Sequence, residues 1–173
     1  MNEKDNINDE EHDPFNEPEL AHPRARQLMT EEFFWDCTDE EAPFGSDEGH
    51  TAYYEFRSWR RINKDENLVA CFTWIMDGED LENYNDKLYS DEIVEQNIEN
   101  PDGAFLAESY DIFTLDTTVV TTALSQLMDE GYIDTEAKPY VQVAIKRQLH
   151  PELLTSDHRK NILLAVQRVV DAA

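Results

Sequence analysis

The chain has 173 residues, of which 40% are apolar. That is enough for one domain with a buried core, and it excludes a chain disordered throughout. Thirty-nine acids against fourteen bases give a formal charge of −25, which disfavours nucleic acid and anionic membranes as partners and favours basic ones. No apolar run is long enough to span a membrane, and no Gly-rich phosphate loop, nucleophile elbow or metal-spaced Cys/His set occurs, so no cofactor is implied.

Residues 1–20 hold eight acids and one lysine, with Ile7, Phe15 and Leu20 scattered among Pro14 and Pro18. Without a periodic apolar face this stretch reads as a disordered acidic tail. A single helical domain is expected over 21–173, acidic and aromatic-rich over 21–115 and three-helical over 116–173. Pro23 opens a short helix with Ala25, Leu28 and Met29 on its apolar face. The consecutive rings Phe33, Phe34 and Trp35 favour a short extended piece, and Pro43, Gly45 and Gly49 mark turns after it.

A helix is predicted from about Gly49 to Ile62, where Ala52, Tyr53, Phe56 and Trp59 share a face. Another runs from Glu66 to Asp77 with Leu68, Val69, Phe72, Ile75 and Met76 inward and Gly78 as its stop. Residues 79–115 read ambiguously. Ile93, Val94 and Ile98 suggest a short helix before Pro101, whereas Phe105, Leu106, Ile112 and Phe113 fit either a strand or a helix.

The last third is the most legible. Asp116 is expected to cap a helix carrying Val119, Val120, Ala123, Leu124, Leu127 and Met128, ended by Gly131. Asp134 or Thr135 caps a second, with Pro139 in its first turn, Ala137, Val141, Ala144, Ile145 and Leu149 on one side, and Pro151 after it. A third starts near Ser156 and lines up Ile162, Leu163, Val166, Val169 and Val170, leaving Arg159, Lys160 and Arg168 solvated. The expected fold is mainly α, with a C-terminal three-helix unit and at most minor strand content.

Cys37 and Cys71 lie beside aromatic or apolar residues in no redox spacing and read as reduced and buried. The N-terminus has neither the basic start nor the apolar run of a signal peptide, so the expected location is cytoplasmic.

The densest polar cluster is Asp36, Asp39, Glu40, Glu41, Asp47, Glu48 and His50. Trp35 and Phe44 are expected to pin this loop while its carboxylates face solvent, because it holds too many acids to bury and too many rings to be free. Trp35, Asp36, Phe44, Asp47 and Glu48 are therefore the candidate contact residues for a basic partner. A divalent cation held by Asp36, Asp47 and His50 is a weaker reading, since the spacing matches neither a calcium loop nor a zinc pair. RSWRR, residues 57–61, could suit nucleic acid, but its acidic surroundings point to intramolecular pairing with the preceding loop and to Trp59 in the core.

These features favour a non-enzymatic cytoplasmic interaction protein that docks a basic protein, in one version an immunity-type protein covering a basic toxin or nuclease. The competing reading is an enzyme or cation-binding protein built on the loop at 33–50. No residue pattern indicates an oligomeric state.

The run AHPRARQLMTEEFFWDCTDEEAPFGSDEGHTAYYEFRSWRR, residues 21–61, resembles the start of the YfeS-like family of uncharacterised bacterial proteins. ALSQLMDEGYIDTEAKPYVQVAIKRQL, residues 123–149, is similar to that family's C-terminal helical part. The resemblance implies a bacterial source and no catalytic residues. Some relatives carry a Trp-Gly-Arg module linked to nucleic acid, a tripeptide this chain lacks.

Overall fold

A computed structural model describes residues 13–75 and 112–173, with Glu92, Glu95 and Glu99 as isolated positions between them. The fold is helical, with no strand among the described residues. Its helices are α1 (Pro23–Leu28), α2 (Asp47–Ile62), α3 (Leu68–Ile75), α4 (Ile112–Glu130), α5 (Lys138–Gln148) and α6 (Asp157–Ala172). Residues 1–12 and most of the ambiguous 79–115 stretch lie outside the described residues, including Met76, Gly78 and the helix expected before Pro101.

The fold is organised around α4. It packs most extensively against α2 and α5, and also touches α1 and α3, while α6 packs against α5. Every residue from Leu115 to Met128 is buried, so this stretch of α4 has no solvent face and its apolar stripe is only part of its surface. Part of the polar remainder is matched internally, as buried groups favour, while the Thr117 and Thr122 hydroxyls find no hydrogen-bond partner among the described residues. Thr121 Oγ1 donates to the Pro43 carbonyl at 2.9 Å, and Ser125 Oγ donates to the Thr121 carbonyl at 2.7 Å. Gln126 Oε1 accepts from the Asp134 amide at 2.9 Å.

Asp116 corrects the sequence reading. The helix begins four residues earlier, so Asp116 is no cap but a fully buried carboxylate in its second turn. It accepts from Arg147 Nε at 3.0 Å and Gln148 Nε2 at 2.7 Å, and Arg147 Nη2 takes its other oxygen. Arg147 is the largest fully buried side chain among the described residues. The C-terminal helices are therefore joined by a polar clamp inside an otherwise apolar contact.

Helix ends show which local signals hold. Pro23 does open α1, and the His22 ring accepts from the Arg24 amide at 3.1 Å. Gly131 ends α4 at φ 84°, where any Cβ would strike the His22 imidazole. Ser156 caps α6 by accepting from the Arg159 amide at 3.0 Å. Asp134, expected to cap its own helix, instead accepts from the Leu68 amide at 2.8 Å and so caps α3. The chain after it forms a 3-10 turn, Thr135–Ala137, that leads into α5.

Three further expectations need correction. The Phe33–Trp35 segment is a 3-10 turn, Glu32–Trp35, because the described residues offer no neighbouring strand for it to pair with and its amides bond locally, Phe34 to the Glu31 carbonyl at 3.2 Å. The tail assignment is too long: over 13–20, Pro14 is buried and the Phe15 ring packs 5.2 Å from Phe44 and 5.3 Å from Tyr53. Cys37 is exposed, whereas Cys71 is buried and desolvation pushes its thiol up to about 12; both are free.

One apolar cluster includes Ala25, Phe44, Phe56, Phe72, Leu124, Ile145 and Val169. Elements from both ends of the sequence share this core, and the loop between α1 and α2 is held on its surface.

Candidate functional site

The loop from Met29 to Ser46 holds most of the residues singled out by sequence. It is pinned from within and from α6. Trp35 Nε1 donates to the Met29 carbonyl at 2.9 Å, and Phe44 is wholly buried. Asp36 Oδ1 accepts from the amide and hydroxyl of Thr38, both at 2.7 Å, and these bonds hold its carboxyl below the usual range.

Across the fold, the Glu41 carboxylate accepts from Thr155 Oγ1 at 2.7 Å and from Ser156 Oγ at 2.8 Å, bonds that lower its pKa. Arg159 Nη1 donates to the Glu41 carbonyl at 2.6 Å. Arg159 is half-buried, so the expectation that it is solvated is corrected, and desolvation lowers its pKa. His158 Nε2 meets Asp39 Oδ2 at 2.7 Å, and that bond raises the imidazole pKa. Arg168 reaches Glu31 through both terminal nitrogens, at 2.6 and 2.8 Å, which lowers the Glu31 pKa.

The loop and the start of α6 enclose an open groove of about 840 Å³. Phe15, Phe33 and Trp35 line it, together with the carboxylates of Glu31, Glu32, Asp36 and Asp39 and the His158 ring. Glu31 and Asp39 already face Arg168 and His158. Glu32 and Asp36 are exposed and form no ion pair among the described residues. Aromatic surface beside two uncompensated carboxylates favours a cation with an apolar or planar body.

The sequence-predicted contact set does not form one surface. Trp35 and Asp36 lie on this groove. Asp47 and Glu48 are in the first turn of α2, after the Ser46 cap, and line a second groove of about 540 Å³ with Glu55 and Trp74. Phe44 is in the core, 5.9 Å from Tyr53, and cannot touch a partner. The His50 ring meets Tyr54 edge to face, with centroids 4.9 Å apart. Asp36, Asp47 and His50 are not brought together, and among the described residues no three His, Cys, Asp or Glu side chains are placed to hold a metal ion.

The arginines of RSWRR are also redirected. They were expected to pair with the preceding loop, but Arg57 pairs with Asp129 at 3.1 Å and Arg60 with Glu130 at 2.6 Å. Two acids at the C-terminal end of α4 sit badly with the helix dipole, and the arginines of α2 offset them. Trp59 is buried, so no stacking ring is offered to a base.

Sequence reasoning did not find Phe15, Glu32 or His158 as members of the groove. Phe15 is the single aromatic ring in the acidic stretch 1–20, which is the one local sign that it packs. The Asp39–His158 contact joins residues 119 apart and leaves no local trace.

No helix among the described residues is long and apolar enough to cross a membrane. No family model, curated protein or solved structure matches the chain.

Proposed function

We propose that this protein is a non-enzymatic interaction module that docks a basic partner protein through its acidic surface. The observation that carries the reading is the groove beside Trp35, where Glu32 and Asp36 stand uncompensated next to aromatic rings on a loop tied to α6. A pre-ordered loop loses little conformational entropy when a partner binds, and a net charge of −25 speeds encounter with a cationic surface. The cation-site alternative on residues 33–50 has no converging ligand set among the described residues, and an enzyme built on the same loop is the competing reading. Cytoplasmic residence and kinship with YfeS-like proteins belong to the same proposal, as does its immunity-type version, in which the partner is a basic toxin or nuclease.

The test is calorimetric titration of the full chain with a basic peptide and with an acidic peptide of equal length, each at low and high salt. Saturable binding of the basic peptide alone, weakened by salt, supports docking. No binding of the basic peptide at low salt would overturn it.

A further inference from the structure

The groove beside Trp35 has a chemistry narrower than general acidity. Its four carboxylates divide into two that are already ion-paired and two that face no cation among the described residues, Asp36 holding only the Thr38 amide and hydroxyl through Oδ1. Glu31 is forked by Arg168, and Asp39 faces His158. Glu32 and Asp36 remain, on either side of the Phe33–Trp35 rings in sequence and on the same groove. The rings are only half-buried although the loop that carries them is ordered, so part of each is open to whatever enters.

We propose that this groove seats one arginine side chain from an extended basic segment of the partner, its guanidinium against Trp35 and Phe33 and paired with Glu32 and Asp36. The inference rests on the docking function above. Arginine suits the groove better than lysine because its planar cation is weakly hydrated, stacks on rings and presents a fork of donors to carboxylates, whereas an ammonium is a compact, strongly hydrated point charge. The protein already solves the same problem internally. Arg60 lies 5.1 Å from the centre of the Trp59 ring while pairing with Glu130 at 2.6 Å.

Charge excludes the other occupants. Residues 1–12 of this chain hold five acids and one lysine, and a second copy brings −25; both are repelled. The second groove, with Asp47, Glu48 and Glu55, has the charge but, among the described residues, a single ring, Trp74.

The experiment uses the full chain and two Gly/Ser-based peptides that differ only in carrying three arginines or three lysines, followed by calorimetry at low salt. The arginine peptide should bind at least about threefold more tightly, the scale of one exposed cation–ring contact. Glu32→Gln/Asp36→Asn should weaken it about tenfold, while Asp47→Asn/Glu48→Gln, an equal change of charge on the other groove, should weaken it less than about twofold. Glu32→Gln alone, at an exposed position, repeats the test if the double variant melts early. Phe33→Leu should abolish the preference for arginine. Equal losses in the two double variants, or equal affinity for the two peptides, would overturn the groove assignment while salt-sensitive binding left the docking function standing. No binding of either peptide would overturn both.

Discussion

Arg147 and Asp116, both at 0% side-chain exposure, form a buried ion pair. Burying two charges costs several kcal/mol per ion, and the forked geometry with Gln148 offsets part of that cost. Arg147→Met strands the carboxylate and should cost about 3–5 kcal/mol in urea denaturation. Asp116→Leu/Arg147→Met should recover at least about 2 kcal/mol of that loss, because no lone charge remains. Additive losses would show that packing, not the ion pair, dominates the site.

His158 behaves differently, being exposed at 53%. Its pKa is raised above the ordinary imidazole value by the bond to Asp39, against a small opposing desolvation, with Glu41 also nearby. A raised folded-state pKa means that the contribution is present in full below the unfolded value and is lost as pH rises through the folded one. The melting-midpoint advantage of the wild type over His158→Gln should therefore be larger near pH 6 than near pH 9. A constant advantage across that range would show that the Asp39 contact does not depend on the imidazolium.

Among the elements, the segment before α1 is where folding and composition disagree most. Residues 13–20 read as part of an acidic tail, yet the Phe15 ring sits between Phe44, Tyr53 and His50. A chain starting at Ala21 should melt below the full chain, and Phe15→Ala should reproduce part of the fall, about 1–2 kcal/mol for a half-buried ring. Leu124→Ala in α4, at a position with no exposure, should cost more, about 2–5 kcal/mol. Equal midpoints for the truncated and full chains would return Phe15 to the tail.

At the scale of the molecule, self-repulsion competes with ion pairing. Surface pairs such as Arg168–Glu31 are worth about 0–1 kcal/mol each, too little to balance −25 on one small body. Screening should therefore raise stability on balance: the melting midpoint should climb as salt increases from about 0.02 to about 0.5 M. A fall would mean that the ion pairs outweigh the repulsion.

What the sequence determined by itself were the patterns confined to a few turns of chain. The apolar stripes of α2, α5 and α6, the proline that opens α1, the Ser156 cap and the Gly131 stop were all legible, because helical period and end chemistry act between residues three or four apart. The groove was half legible: Trp35 and Asp36 stood out as rings and acids in one loop, and Phe44 was correctly read as its anchor though not as buried. Tertiary structure alone decided what lay across the fold from them. It gave Asp116 a buried partner 31 residues away and sent Asp134 to cap α3 rather than its own helix. It placed His158 against Asp39 and separated Asp47 and Glu48 from Trp35. A carboxylate that caps, pairs or waits for a partner has the same letter in the sequence, and its role depends on which distant donor the packing of α4 brings within reach.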